Sequence, residues 1–341
     1  SPKLILALFI GFYVFSLSLI PIIGRDYFPT IDGGELRLHV CAKPGTRVEE
    51  TERIFKKVEL AIREMFPKED IELVVDNIGL PVSGINYALS DSQTVSEADG
   101  EILVSLSDKR KHLTDWYQKQ IRAMMKEKFS DLIFYFQPAD IVTQILNAGL
   151  PAPIDIKVLG QKRAENYELA KKIEKEVRMV TGTADVWLHQ VTKAPHIEWE
   201  VDRTRAKELG VTQKDVSNSF LVSLGSSFQT NPNFWLNRSN RINYNLATIV
   251  PPDSIRTTDD LRMMSISPSM KTQKVENPPV LTNVASFKRS TTPAVVNHVN
   301  VQPCYDIYAA CQNRDLGAVS EDIKVIIEKY KKTIQRGTFL F

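Results

Sequence analysis

The sequence predicts an α+β protein with one N-terminal transmembrane helix and two ferredoxin-like (split βαβ) lobes, the second interrupted by an inserted α+β segment. Three observations predict this fold class. A 20-residue apolar run, Leu4–Ile23, precedes a chain of ordinary globular composition, with 43% apolar and 25% charged residues overall. Residues 35–140 show a β-α-β-β-α-β order of elements. The same order begins again at residue 151 and is completed only after about residue 284.

The apolar run is the first element. Leu4–Ile23 contains no charged residue and, as a helix, is about 30 Å long, which is the hydrocarbon thickness of a bilayer. We therefore interpret residues 1–24 as a transmembrane helix. The alternative is a signal peptide with a cleavage site at Ser16-Leu17-Ser18, although the apolar run continues beyond that site. Lys3 before the run favours a cytoplasmic N-terminus, and the remaining chain is then expected in the periplasm.

The first lobe is predicted within residues 35–140. Glu35–Cys41 alternates as a half-buried strand, and a helix with an apolar stripe follows it. Thr46 with Glu49 predicts a capping box at the start of this helix. The remaining predicted elements are strands at 71–75, 101–106 and 132–136 and a helix near 115–129.

The second lobe is predicted in two pieces, residues 151–191 and 284–335. The first piece contains a strand, a helix and a strand, and the second contains the strand and helix that complete the pattern. Neither piece has enough strands to bury its helix, so we expect the two pieces to pack together. Residues 192–283 form the inserted segment, with two alternating strands and an Asn- and Ser-rich arm.

Charge, cysteine content and motifs narrow the function classes. With 43 Lys and Arg against 41 Asp and Glu, the net charge is +2, which does not indicate a nucleic-acid partner. Cys41, Cys304 and Cys311 form neither a CxxC motif nor a disulfide framework. The sequence contains no GxSxG, HExxH, P-loop or EF-hand motif. We therefore expect no enzyme and no cofactor; a membrane-anchored hydrolase stays open only if residues distant in sequence converge.

Three segments carry a resemblance to a known family. The apolar run leads into RDYFPTIDGG, and KPGTRVEET opens the next helix. HIEWEVDRTRAKELGVTQKDV resembles a docking-domain signature, and PPVLTNVASFK resembles the segment that precedes the return to a porter subdomain. Collinear over essentially the whole chain, these segments resemble the second half of resistance-nodulation-division (RND) efflux permeases of the AcrB-like type.

The resemblance implies an organisation and a function. Residues 35–140 would be one porter subdomain, 151–191 with 284–335 a second, and 192–283 the docking subdomain. The complete protein would be a proton-driven, homotrimeric multidrug exporter of hydrophobic or amphiphilic compounds in the bacterial inner membrane, with most of this chain in the periplasm. Its partners would be the remaining half of the permease, a periplasmic adaptor (membrane-fusion) protein and an outer-membrane channel. Because the apolar run contains no ionisable group, the proton relay is expected outside this chain.

The resemblance also implies a hydrophobic substrate site. Its expected residues are Phe134, Phe136, Leu80 and Val82 for substrate contact, with Gly79 and Gly84 as hinges of a switch loop. Strand alternation places Phe134 and Phe136 on one face, which we expect to line a groove between the lobes. The alternative is that both rings pack in the core of the first lobe.

Two further functions stay open. A free-standing, membrane-anchored periplasmic binding or assembly module would have the same elements. A heavy-metal-exporting RND member is the other, and a copper or silver path would require sulfur ligands that converge in a cleft. Four methionines on the predicted helices indicate core packing instead, and the five histidines are scattered singly along the sequence. No metal site is therefore expected.

Overall fold

The structure is a computed structural model, and it describes residues 2–19, 24–26, 32–81, 92–147, 149–268, 278–332 and 338–340. It is a mixed α/β fold that divides into two compact units. The first comprises residues 1–194 and 292–341, and the second comprises residues 195–291. The first unit contains two lobes, each built on one antiparallel sheet.

Helix α1 (Pro2–Leu19) precedes both lobes. It has 18 residues, none of them buried, and it is long and apolar enough to cross a membrane. It is the one such helix among the described residues. The last residues of the predicted apolar run, 20–23, lie outside the described part of the chain.

The first lobe has four strands. They are β1 (Glu35–Cys41), β2 (Ile71–Ile78), β3 (Asp99–Leu106) and β4 (Ile133–Gln137), with helix α2 (Val48–Met65) after β1 and helix α3 (Thr114–Lys128) after β3. The sheet order is β2-β3-β1-β4, and all neighbours are antiparallel. A six-residue helix, α4 (Ile141–Leu146), follows β4.

The core of the first lobe lies between one sheet face and the two helices. Leu38 and Val40 of β1 are fully buried there with Phe55 of α2. Because strand side chains alternate, the residues between them point to the opposite face of the sheet. This second face, described below, is polar.

The start of α2 differs from the prediction. The helix begins at Val48 after Arg47, whose side chain makes no capping bond. The Thr46 hydroxyl instead donates to the Lys43 carbonyl at 2.7 Å, and Glu49 forms an ion pair with Arg47 at 2.8 Å. The predicted capping box is therefore wrong, because a tight turn before the helix uses the threonine.

The second lobe begins with strand β5 (Ile154–Gly160), helix α5 (Arg163–Val177) and strand β6 (Thr183–Leu188). The chain then enters the second compact unit through β7 (Ala194–Val201). The other elements of that unit are α6 (Arg203–Glu208), α7 (Gln213–Gly225), β8 (Asn233–Asn237), β9 (Ile242–Leu246), α8 (Thr258–Arg262) and β10 (Ala285–Thr292). Strand β10 pairs with β7, and β8 pairs with β9.

Local sequence explains the helices of the second unit. Thr212 and Asp215 form a complete capping box at the start of α7, as a Thr-x-x-Asp sequence favours.

Residues 285–291 lie in the second compact unit, because β10 pairs with β7. The first unit therefore resumes at Thr292, later than residue 284, where the sequence placed the boundary.

The second lobe is completed by β11 (Asn297–Val299), β12 (Gln302–Cys311), α9 (Leu316–Lys331) and β13 (Thr338–Leu340). Strand β12 pairs with β5 on one side and with β6 and β11 on the other, and β13 pairs with the outer edge of β5. When the three-residue strand β11 is left out, both sheets have the order second, third, first, fourth, counted along the chain within each lobe. Helix α9 is the second helix of its lobe, as α3 is of the first.

Candidate functional site

The polar face of the first sheet collects residues from three strands. His39 and Cys41 on β1 point away from the helices, and the strand register sets Glu101 opposite His39 and Asp99 opposite Cys41. Tyr135 of β4 lies on the other side of His39. His39, Asp99 and Glu101 are almost fully buried, whereas Cys41 is partly exposed.

Three potential metal ligands lie together on this face. The His39 Nε2 atom is 3.3 Å from Asp99 Oδ2. One donor atom each from His39, Cys41 and Asp99 can be chosen so that all three lie within 4.8 Å of one another. Among the described residues this is the one group of His, Cys, Asp and Glu side chains with such spacing. We call it the His-Cys-Asp cluster.

An ion pair between Arg37 and Glu101 lies beside the cluster. Arg37 donates from Nε to Glu101 Oε2 and from Nη2 to Glu101 Oε1, each at 3.0 Å. The second nitrogen of the imidazole, His39 Nδ1, is 3.7 Å from Glu101 Oε1. The guanidinium therefore holds a carboxylate against the side of the ring that faces away from Asp99. The other ring nitrogen, Nε2, is the one that lies near Asp99.

The surrounding charges favour ionised side chains. Burial lowers the pKa of His39, but the adjacent Cys41 sulfur and the contacts with Asp99 and Glu101 raise it more. The net pKa of His39 therefore lies well above the ordinary value. Burial raises the pKa of Glu101, but His39 and Arg37 lower it more, so its net pKa is low. These contacts thus favour the protonated form of His39 and the ionised form of Glu101.

The loop before β3 is fastened to the same carboxylates. Asp99 accepts hydrogen bonds from the backbone N–H groups of Val95 at 3.1 Å and Ser96 at 2.8 Å. The Ser92 hydroxyl donates to Glu101 Oε1 at 3.0 Å. These residues belong to the loop in which the sequence predicted a switch. Each carboxylate therefore holds part of that loop by hydrogen bonds.

The second lobe covers the cluster with aromatic rings. Tyr135 stacks on His39, with ring centroids 4.6 Å apart, and its ring is parallel to that of Trp187 at 3.7 Å. Trp187 belongs to β6 of the second lobe and contacts Tyr308 of β12. These aromatic residues and Ala152 form a small buried cluster against which Cys41 packs. The site thus lies beneath the contact between the two lobes.

A buried ion pair joins the lobes next to this stack. Arg122 of α3 makes three hydrogen bonds of 2.7–2.9 Å to Asp185 of β6, which also accepts from the Phe136 N–H at 3.1 Å. Both side chains are at most 5% exposed. Asp185 has a φ of +49°, near an irregularity in the pairing of β6 with β12. The backbone is strained at the residue that connects the lobes.

The residues predicted to contact a substrate lie elsewhere. Phe136 is 4% exposed in the core of the first lobe, and Phe134 is half-buried against the same core. Both rings share a face, as alternation predicted, but this face packs on the helices, which is the core alternative rather than the groove.

The predicted switch loop is described only in part. Leu80 is 46% exposed, and Gly79, which the resemblance implies is a hinge, has a φ of +77°. Val82 and Gly84 lie outside the described residues. The assignment of all six residues to a substrate site stays a prediction.

Sequence reasoning missed the His-Cys-Asp cluster. His39 and Cys41 are two residues apart on a predicted strand, so the sequence indicates that they lie on the same face of the sheet. Asp99 is 58 residues from Cys41 along the chain, and only the antiparallel register of β1 with β3 sets the two opposite each other. The expectation that this chain has no metal site therefore has to be weighed against a cluster of three suitable side chains.

Comparison with known proteins gives the class. The model of the AcrB/AcrD/AcrF family matches residues 1–336. The cation efflux system protein CusA of Escherichia coli (strain K12) is 22% identical over 315 residues, which cover 90% of this chain and 28% of CusA. The cobalt-zinc-cadmium resistance protein CzcA of Cupriavidus metallidurans is 21% identical over 319 residues, which cover 91% of this chain and 28% of CzcA.

A solved structure shares the fold. It is the X-ray crystal structure of a heavy metal efflux pump (crystal form II), with a TM-score of 0.75 at 19% identity over 97% of this chain and 33% of the pump. The class of protein is thus the RND efflux permeases. This chain spans about a third or less of the length of the relatives it matches. The chain belongs to the AcrB/AcrD/AcrF family.

Proposed function

We propose that this chain is part of an RND transporter that exports divalent metal cations, and that the His-Cys-Asp cluster captures the cation. The observation that carries the proposal is the convergence of imidazole, thiol and carboxylate donors within 4.8 Å. The relatives CusA and CzcA, named for cation efflux and metal resistance, support it.

The geometry suits a four-coordinate ion. Nitrogen and oxygen ligands of zinc lie at about 2.0–2.1 Å, so two of them in a tetrahedral site are about 3.4 Å apart. The observed separation of His39 Nε2 and Asp99 Oδ2 is 3.3 Å. A deprotonated Cys41 would then supply the third ligand, and a water molecule the fourth. Thiolate and carboxylate together carry two negative charges, which balance a divalent cation.

The ion pair between Arg37 and Glu101 has a defined role in this proposal. Metal-bound histidines usually face a carboxylate or carbonyl with their second nitrogen, which fixes ring orientation. Glu101 occupies that position beside His39 Nδ1, and Arg37 holds Glu101 in place. Metal binding requires a neutral imidazole, so a bound cation would compete with a proton at His39.

Capture also involves the loop. A cation on Asp99 would compete with the hydrogen bonds that Val95 and Ser96 now donate to this carboxylate. We propose that loading releases this part of the loop from β3. Cys41, the partly exposed member of the cluster, is the first ligand that an entering ion meets.

Export of hydrophobic compounds, the function that the sequence favoured, is the second candidate. Its predicted contacts at Phe134 and Phe136 are rings that pack in or against the core. Exposed Leu80 remains as a possible aliphatic contact. The metal proposal has the better-defined site, because its three donor atoms lie within 4.8 Å of one another.

The setting of the complete protein is part of the proposal. Helix α1 would span the bacterial inner membrane, with most of the chain in the periplasm. Residues 35–140, and 151–191 with 284–335, would be the porter subdomains, and 192–283 the docking subdomain. The pairing of β10 with β7 moves the second of these boundaries to residue 292. The complete permease would be a homotrimer driven by protons that cross its other helices. It would bind a periplasmic adaptor protein and an outer-membrane channel.

Zinc binding to the purified chain tests the capture site. We expect about one equivalent of Zn²⁺ to bind in isothermal titration calorimetry at neutral pH. The variants Cys41→Ser and Asp99→Asn should each weaken binding by more than tenfold, since even outer-shell changes cost about 10–100-fold in metal affinity. Circular dichroism verifies that each variant is folded.

A matched control isolates the cluster from a general thiol effect. Cys311 is half-buried, like Cys41, but lies on β12 of the second lobe. Cys311→Ser should therefore bind Zn²⁺ like the parent chain. Wild-type affinity in both cluster variants, or equal loss in the Cys311 variant, would overturn the assignment.

A further inference from the structure

The segment between α1 and β1 makes contacts that the proposed capture site does not use. Its described parts are residues 24–26 and 32–34, which we call the connector. The sequence of these parts is Gly-Arg-Asp and Asp-Gly-Gly. Although the connector leads directly into the first lobe, it also bonds to the second lobe, which begins more than a hundred residues later.

The contacts with the second lobe are at the start of α9. Asp26 Oδ1 accepts a hydrogen bond from the Leu316 N–H at 2.9 Å, and the Arg25 carbonyl accepts from the Gly317 N–H at 2.8 Å. The Arg25 N–H donates to Asp315 at 3.0 Å. Asp315 is also the side-chain cap of α9, which it provides through the Ala318 N–H. Three hydrogen bonds thus join the connector to the start of this helix.

The contacts with the first lobe are at the start of α3. Asp32 Oδ1 accepts from the Thr114 N–H at 2.9 Å and also bonds to the Thr114 hydroxyl. Asp32 Oδ2 accepts from Arg110 at 2.8 Å, and the Gly34 N–H donates to the Thr114 hydroxyl at 3.1 Å. The hydrogen bonds from Thr114 and the charge of Arg110 lower the pKa of Asp32.

The two contacts are equivalent in the architecture of the lobes. Helices α3 and α9 are the second helices of their β-α-β-β-α-β lobes, and Thr114 and Leu316 are their first residues. In each case a connector carboxylate accepts from the first N–H of the helix, where unpaired donors and the helix dipole favour an anion. One short segment after α1 therefore holds the same point of both lobes.

We propose that the connector is a two-point coupler that transmits movement of α1 to both lobes, through Asp26 to α9 and through Asp32 to α3. The first lobe directly follows α1 in the chain. If the chain were the one connection, a movement of α1 would therefore act more directly on the first lobe than on the second. The bonds of Arg25 and Asp26 give the second lobe its own mechanical link. This role is independent of the compound that the transporter carries.

Gly317 fits this role by allowing close approach. A Cβ atom at this position would lie 2.8 Å from Arg25 Cβ and 3.1 Å from the Arg25 carbonyl oxygen. Alanine is nevertheless the better helix former. Gly317→Ala should therefore stabilise helix α9 but displace the connector. This variant thus distinguishes a loss of coupling from a loss of helix stability.

The experiment measures distances in the full chain reconstituted in lipid nanodiscs. Spin labels on genetically encoded amino acids are placed in α1 at Leu17 and in one lobe, either at Val325 of α9 or at Gln120 of α3. These lobe positions are exposed. We expect narrow distance distributions for both pairs in the parent chain. Asp26→Asn should remove the narrow distribution of the Leu17–Val325 pair alone, and Asp32→Asn that of the Leu17–Gln120 pair alone.

Two further variants make the result decisive. Gly317→Ala should have the same effect as Asp26→Asn while the helix content stays unchanged. Glu321→Gln is the matched control, because it removes only an exposed 3.6 Å ion pair with Arg25 and should leave both distributions narrow. Narrow distributions in Asp26→Asn and Gly317→Ala would overturn the proposal, as would equal broadening of both label pairs in any folded variant.

Discussion

Removal of the charge at Asp185 should separate the two lobes of the first unit without unfolding either sheet. The variant Asp185→Asn keeps the size of the side chain, and asparagine tolerates the left-handed backbone that this residue adopts, with φ of +49°. It leaves the Arg122 guanidinium, which is 5% exposed, without a carboxylate partner. The change therefore tests the buried ion pair with little change in shape.

The magnitude follows from burial. Removing one partner of a buried pair costs about 3–5 kcal/mol, since the remaining charge stays desolvated. The lower end applies here, because Arg122 keeps its contact with Gln312 at 3.2 Å and the asparagine oxygen can still accept a bond. For a unit of 150–250 residues, about 3 kcal/mol corresponds to a fall in melting temperature of roughly 6–12 °C.

The assay is thermal unfolding followed by circular dichroism, combined with a double-mutant cycle. In the cycle, Arg122→Met and Asp185→Asn should show a coupling energy of more than about 1 kcal/mol. Asp185→Ala should be less stable than Asp185→Asn by about 1 kcal/mol, because alanine pays the full cost of a left-handed backbone. The control Arg53→Met removes an exposed ion pair with Glu50 and should change little. A melting temperature within about 2 °C of the parent in Asp185→Asn would refute the reasoning.

Three other predictions follow from burial, charge and the apolar helix. Phe136→Ala should cost about 3–5 kcal/mol in denaturant unfolding, because the ring is in the core; an unchanged midpoint would favour the groove instead. Burial raises the pKa of Asp306, but hydrogen bonds from Lys157 and other donors lower it more, so the net pKa is below the ordinary value. The ionised Asp306 carboxylate therefore stabilises the fold above the unfolded pKa of about 3.9, and this stabilisation is lost as the pH falls through the lower pKa of the folded state. Asp306→Asn should accordingly flatten the acid limb of a plot of stability against pH. Vesicles that contain only this chain should show no proton-driven efflux of metal or dye, because Pro2–Leu19 has Lys3, near its end, as its one formally charged residue; efflux under a pH gradient would contradict this.

The sequence by itself determined the features that depend on near neighbours. The apolar run predicts α1, and alternation predicts β1. Each of these signals is contained within a few turns or pleats, so no distant part of the chain is required to interpret it. The family resemblance, which rests on collinear local motifs, is confirmed for the same reason.

Only the tertiary structure decided which residues meet. Alternation showed that Phe134 and Phe136 share a face, but the position of the helices decided that this face is the core. Cys41 and Asp99 meet because β1 pairs with β3. The Asp26 carboxylate accepts a hydrogen bond from Leu316 of α9, which lies 290 residues further along the chain. Pairings across such separations depend on the burial and register of whole sheets rather than on local patterns. The candidate metal centre and the coupler are therefore properties of the fold, although every residue in them is visible in the sequence.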